Sequence, residues 1–287
     1  MILITGGTGS FGHAYARAHR HERVRILSRD EEKQRAMALE FPTFDYVIGD
    51  IRDRDAVEYA MRGVQRVFHA AALKQVPPLE AAPMEAVKTN VVGTDNVCRA
   101  AKAAHARVVT ISTDKAVEPV GVMGASKFMA ESITTGHGFN VVRYGNVLGS
   151  RGSILPIWRD AMKRGEPVRI TDPTMTRFVI TLDEAIELID YAMGSYMSGT
   201  IYVKRSPAAT VRQFARVVAG DHPTEIVGIR PGEKRHEHLV VPDEAASEAG
   251  DYFAIRRGGA PTGIRYSSET APRMTDDELR ALIEVSA

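Results

Sequence analysis

A single cysteine, Cys98, rules out an internal disulfide and suits a reducing compartment. Long apolar runs are also missing, none approaching the roughly 20 residues that cross a bilayer. Neither charge sign is in excess, with 37 Lys+Arg against 36 Asp+Glu. This balance argues against nucleic acid or an anionic membrane as the main partner. No basic segment precedes the first apolar run, so no secretory leader is expected. Internal repeats, low-complexity tracts and long linkers are absent. These absences leave a soluble, cytoplasmic protein of one large domain or a domain and a half.

What is present is alternation. The runs 1–5, 24–28, 44–49, 64–70, 106–112 and 139–145 are apolar and β-branched without strict in–out alternation, as strands buried on both faces require. Amphipathic segments near 10–20, 30–40, 53–62, 83–105 and 123–135 separate them. The order predicts an α/β fold, a Rossmann-like doubly wound parallel sheet over residues 1–150. Beyond Gly149 the pattern loosens. Helices are expected near 155–164, 182–194, 210–219 and 275–284, with strands near 167–170, 200–204 and 224–228. Residues 178–204 are expected to return to the sheet, while 151–177 and 205–287 form a smaller substrate-binding region. Thr275 and Glu278 give the last helix a capping-box start.

The turn after the first strand reads "ITGGTGSFG", with Gly6, Gly9 and Gly12 in G-x-x-G-x-x-G spacing. A tight turn, close backbone approach and free amides at a helix start suit a pyrophosphate. The second strand ends at Ser28 and Arg29 rather than at an acid. An arginine there suits a ribose 2′-phosphate, so NADP is favoured over NAD. Asp30 stands near the place of an NAD-type acid, and it could equally cap the next helix with Ser28. The fourth strand ends in small residues, "HAAALK", which permit close cofactor approach. "HAYARAHRHE" (13–22) has no partnering cysteine or carboxylate pattern and is read as surface, with no metal site. Trp158 is assigned to packing.

At the end of strand five stand Ser112, Thr113, Asp114 and Lys115, an acid beside an amine where doubly wound folds bind ligands. Fifteen residues after Ser112 comes Lys127, and four before that lysine comes Met123. Many nicotinamide-dependent enzymes have Tyr at that spacing. A thioether takes no proton, so any base must lie elsewhere.

"TGGTGSFG", "SRDEEKQ", "HAAALKQVP", "PMEAVKTNVVGT", "STDKAVEPVGVMGASK", "RYGNVLGSRGS", "TDPTMTRFVITLDEA" and "GIRPGEK" run in order from residue 2 to about 284. Together they resemble the bacterial UDP-N-acetylglucosamine 4,6-dehydratases of surface-polysaccharide pathways, within the extended short-chain dehydrogenase/reductase superfamily. The chain looks like that family's Met branch. Its connections near 40–44 and 134–139 are trimmed, and the transmembrane region of the longest relatives is lacking. The resemblance implies an NADP-dependent hydro-lyase acting on a UDP-sugar, and a homodimer or hexamer built through the helices near 83–105 and 123–135.

It also implies roles. Asp114 would protonate the departing 6-hydroxyl, and a neutral Lys115 of lowered pKa would take the proton on carbon 5. Lys127 would hold the nicotinamide ribose, while Asp114 or Lys115 relays the 4-hydroxyl proton in place of Met123. The cofactor set is Thr5, Gly6, Thr8, Gly9, Ser10, Phe11, Gly12, Ser28, Arg29, Asp50, Ile51, Ala70, Ala71, Ala72, Asn90, Ser112, Lys127, Tyr144 and Asn146. The substrate set is Lys74, Asn146, Arg151, Ser153, Arg177, Arg230 and Glu233, whose arginines would cradle a diphosphate. The rivals are a nucleotide-sugar epimerase, a bifunctional dehydratase/epimerase and a non-catalytic NADP-binding regulator.

Overall fold

A computed structural model describes residues 1–150 and 152–285. Six strands, β1 (Ile2–Thr5), β2 (Val24–Ser28), β3 (Asp45–Ile48), β4 (Arg66–His69), β5 (Arg107–Thr113) and β6 (Asn140–Tyr144), pair in parallel in the order β3-β2-β1-β4-β5-β6. Their carboxyl ends therefore line one edge. Alternate side chains enter different cores. Ile2, Ile4 and Ile26 pack with α1 (Ser10–Ala18) and the helix Leu182–Gly194, whereas Leu3 and Leu27 pack on the other face with the helices Arg54–Ala60 and Gly93–Ala103. Burial on both faces explains the unbroken apolar runs. The fold class is the one expected from the sequence.

Thr200–Lys204 pairs with β6 in parallel and extends the sheet. Thr176–Ile180, near the start of the stretch 178–204, instead joins a small sheet with Asn146–Val147 and Ala208–Thr210. The sequence reading missed the strands Ala245–Ala249 and Tyr252–Arg256. They form an antiparallel hairpin that extends the main sheet beyond Thr200–Lys204, so part of 205–287 belongs to the sheet. The alternation in "YFAIR" is weak, and pairing with a distant edge decides the outcome.

The single long helix expected over 83–105 is instead Pro83–Ala86, a π-helical turn Val87–Val92, and Gly93–Ala103. The wide turn carries Asn90, whose Oδ1 accepts from Leu73 N at 2.8 Å and whose Nδ2 donates to Leu73 O at 2.9 Å. A separate apolar cluster holds the remainder together: Leu155, Trp158, Phe214, Leu279 and their neighbours. Trp158 packs there with its Nε1 donating to Arg169 O at 3.0 Å. The capping box of Thr275 and Glu278 forms as read, through three hydrogen bonds. No helix among the described residues is long and apolar enough to cross a membrane.

Candidate active site

The turn after β1 is built for close approach. Gly6 has φ +67°, and a Cβ there would lie 2.7 Å from Ala71 Cα, while a Cβ on Gly12 would lie 1.8 Å from Gly7 O. A side chain at Gly6 would push the loop off the residues after β4, and one at Gly12 would collide with the turn itself at Gly7. Thr8, Gly9, Ser10 and Phe11 complete the turn into α1. Below it, Thr5 Oγ1 meets His69 Nδ1 at 2.7 Å, and His69 Nε2 meets Thr94 Oγ1 at 3.0 Å. Burial, with Lys127 nearby, pushes the His69 pKa down to about 3, so the imidazole stays neutral and serves as a fixed strut. Ala70, Ala71 and Ala72 follow at the β4 end, with Ala71 N 3.4 Å from Thr5 Oγ1. The cradle suits a dinucleotide: a tight glycine turn opens a helix, and small residues flank it.

At the β2 end, Arg29 is half-exposed and lies 3.4 Å from Asp50 Oδ2. Asp50 is held mainly by Arg52, which donates to it from its backbone and its guanidinium. Asp30 caps α2 (Glu31–Glu40) by accepting from Lys33 N, the helix-capping role already allowed for it. Ser28 Oγ accepts from Gln34 Nε2 at 3.1 Å.

Several of the expected cofactor residues turn inward. Ile51 packs in the apolar cluster of β1 and β2, against Gly93, and Tyr144 lies in the cluster on the opposite face. Asn90 spends both amide hydrogens on Leu73 O and Ser126 Oγ, bracing the β4 loop against the helix Val122–Gly136. Ser112 Oγ donates to Glu131 at 2.6 Å.

The acid and amine singled out in the sequence sit just after β5. Asp114 is fully buried; its Oδ1 accepts from Thr113 Oγ1 at 2.8 Å and Lys115 Nζ at 2.9 Å. Its Oδ2 has no hydrogen-bond partner among the described residues. Burial pushes the Asp114 carboxyl above the usual range, a rise that Lys115 only partly offsets and Glu237 adds to. The expectation of a lysine with lowered pKa is not met. Burial would lower it, but Asp114 and Glu237, the latter 3.3 Å from Nζ, outweigh that and hold Lys115 above the ordinary amine range. A lowered value is found instead at Lys127, brought down to about 8 by burial against the pull of Glu131. Lys127 Nζ donates to Ile111 O at 2.5 Å. Met123 packs with Leu79 and Ala86 and lines a narrow cleft with Lys115, Glu80, Gly232 and Lys234.

The expected substrate residues differ in how far their polar atoms are already engaged. Asn146 Oδ1, Ser153 Oγ and Glu233 Oε2 are buried atoms without hydrogen-bond partners among the described residues, and such groups ordinarily have one. Arg177 donates to Thr176 O at 2.8 Å and Arg235 O at 3.2 Å, so its guanidinium is partly committed to the backbone. Arg230 is half-exposed, 3.9 Å from Glu233. Lys74 is exposed at the mouth beyond β4. Arg151 lies outside the described residues. The sequence reading missed Glu237, Lys234, Glu131 and Glu80. Glu80 Oε1 accepts from Val122 N at 2.7 Å and so caps the helix bearing Lys127. None of these four has a local signal beyond ordinary charge spacing.

Comparison with known proteins decides the family. Residues 2–256 match the model of the polysaccharide biosynthesis protein family. The chain belongs to that family. A protein named UDP-glucose 4-epimerase from Rickettsia bellii (strain RML369-C) is 41% identical over 283 residues, covering 90% of this chain and 83% of that one. The namesake from Rickettsia canadensis (strain McKiel) is 42% identical with the same coverage. The X-ray structure of Pen from Bacillus thuringiensis superimposes with TM-score 0.93 at 34% identity, covering 99% of this chain and 97% of that one. DesIV, a dTDP-glucose 4,6-dehydratase from Streptomyces venezuelae solved with NAD, shares the fold at TM-score 0.77 and 19% identity, covering 99% of this chain and 95% of that one.

Proposed function

We propose that the protein is a UDP-N-acetylglucosamine 4,6-dehydratase that works with NADP and yields a UDP-4-keto-6-deoxy acetamido sugar. The observation that carries this reading is Asp114. It is a fully buried carboxyl with one oxygen paired to Lys115 and the other without a hydrogen-bond partner. A 4-epimerization has no water to expel and little use for such a pair.

NADP, when bound, supplies reversible hydride acceptance. The glycine turn from Gly6 to Gly12 would hold its pyrophosphate, Arg29 its 2′-phosphate, and Lys127 a ribose hydroxyl. Asn146, Ser153, Arg177 and Glu233 would hold the UDP-sugar.

The pair must present an acid for the 6-hydroxyl and a base for the carbon 5 proton together. Its resting form is the ion pair of Asp114 carboxylate and Lys115 ammonium. Moving one proton along their 2.9 Å hydrogen bond converts that pair to neutral acid and neutral amine, at unchanged total charge. Burial of Asp114 lowers the cost of the transfer, because the carboxylate is the form disfavoured by desolvation. Lys115 then takes the carbon 5 proton as Asp114 gives its proton to the leaving hydroxyl. Water departs and the ion pair is restored.

The names of the relatives from Rickettsia favour a second reading, a UDP-sugar 4-epimerase. Incubation with UDP-N-acetylglucosamine in heavy water separates the two. A dehydratase gives a product lighter by one water and deuterated at carbon 5; an epimerase gives an isomer without deuterium. An isomer alone would overturn our reading. We further assign the protein to the cytoplasm as a homo-oligomer. Phe128 and Met129, on the helix Val122–Gly136, and Val92 are exposed apolar residues suited to a contact between copies.

A further inference from the structure

The reactive pair has a third member, contributed by the opposite half of the chain. Glu237 precedes the strand His238–Val240 and is 1% exposed. Its Oε1 lies 3.3 Å from Lys115 Nζ, and its Oε2 lies 3.1 Å from Lys234 Nζ. Lys234 is itself anchored, donating to Val117 O at 2.7 Å just beyond the pair. The backbone of Glu237 is locked to Ser268: Glu237 N donates to Ser268 Oγ at 2.8 Å, and Ser268 N donates to Glu237 O at 2.8 Å. A carboxylate buried this deeply is costly unless it is paired, and one of its two partners is the reacting amine.

We propose that Glu237 is the positioning residue of the Asp114–Lys115 pair, holding the Lys115 ammonium beside Asp114 and setting the pH window in which the pair carries a single proton. The inference rests on the dehydratase reading. The charged groups around Lys115 are Asp114 in the 3-10 turn just after β5, Glu237 and Lys234 before His238–Val240, Arg177 on Thr176–Ile180, and Glu80 on the helix Val76–Ala81 across the cleft. Glu237 is the negative charge that favours the protonated form of both pair members. Removing it lowers both proton affinities, so both limbs of the pH profile move toward acid. A residue that only supports the fold would scale the profile without moving it.

The test is Glu237→Gln, which keeps shape and removes charge. Expected are limbs displaced toward acid by about one pH unit, with turnover falling most at alkaline pH. An NMR titration of ε-15N-lysine, with the Lys115 signal assigned by its loss in Lys115→Met, should show the same displacement without substrate. Lys234→Met removes a positive charge and should shift the Lys115 titration the opposite way, toward alkali. That variant decides the matter if Glu237→Gln does not fold. An unmoved profile and an unmoved Lys115 titration would overturn the inference. If the wild type releases water from no UDP-sugar, the proposed function falls, and the Lys115 titration still decides whether Glu237 governs the amine.

Discussion

Lys115 shows how neighbours reverse what burial alone would do to an amine. Two carboxylates favour its charged form, so under the proposed dehydratase reading it becomes a base only by trading a proton with Asp114. The pair should work while it holds one proton in total. Turnover is therefore expected to fall at low pH, where a second proton removes the base, and at high pH, where none remains for the leaving hydroxyl. Asp114→Asn and Lys115→Met should each abolish that bell and lower kcat by at least about 100-fold, as steady-state kinetics across pH would show. Met123 is a packing residue by its contacts with Leu79 and Ala86. Met123→Ala should lose about 2–3 kcal/mol in urea unfolding yet keep kcat within a few-fold. A large kcat loss at unchanged KM would reassign it to the chemistry. Lys127 gives a linkage test. Its folded pKa of about 8 lies below the unfolded value of about 10.4. Between those values the unfolded chain binds more protons, so stability rises with pH. Wild type without cofactor should gain stability relative to Lys127→Met through that window. Parallel pH dependences in denaturant unfolding would contradict the buried ammonium.

At the scale of elements, the helix Val122–Gly136 carries the site and is fixed at several points. Glu80 caps its start, and Glu131 on its inner face pairs with Arg143 of β6 at 2.8 Å, with Ser112 and Arg257 also bonded to Glu131. Arg143 continues to Glu244, so the helix, the sheet and the residue leading into the hairpin share one ionic network. Breaking such a pair from one side leaves a buried charge exposed to no solvent. Glu131→Gln should cost about 3 kcal/mol in unfolding free energy, and adding Arg143→Met should recover much of it. A single-variant loss below a few tenths would mean that the network is not holding the helix. The strand periods and the glycine turn were legible in the sequence because each reports local geometry. The missed hairpin, Ala245–Arg256 in extent, was not legible, because its short strands acquire meaning only by pairing with the sheet edge.

Over the whole molecule, the parallel sheet puts the glycine turn proposed to hold the dinucleotide and the Asp114–Lys115 pair on one edge, and the C-terminal half supplies Glu237 beside that pair. Cofactor choice is readable at this scale through binding. NADP at about 100 times its Kd should add about 2.7 kcal/mol of stability, and Arg29→Ala should erase its advantage over NAD in a thermal-shift titration. Equal effects of both cofactors on wild type would reject the 2′-phosphate role of Arg29. The chain alone determined the sheet class, the glycine turn and the adjacency of Asp114 to Lys115, because periodicity, turn chemistry and sequence neighbours are local properties. Tertiary structure alone decided which groups favour the charged form of Lys115, the partners of Asn90 and Ser112, and the arrival of Glu237. Ionisation and partner choice depend on which distant groups share a buried space, and only folding brings those groups together.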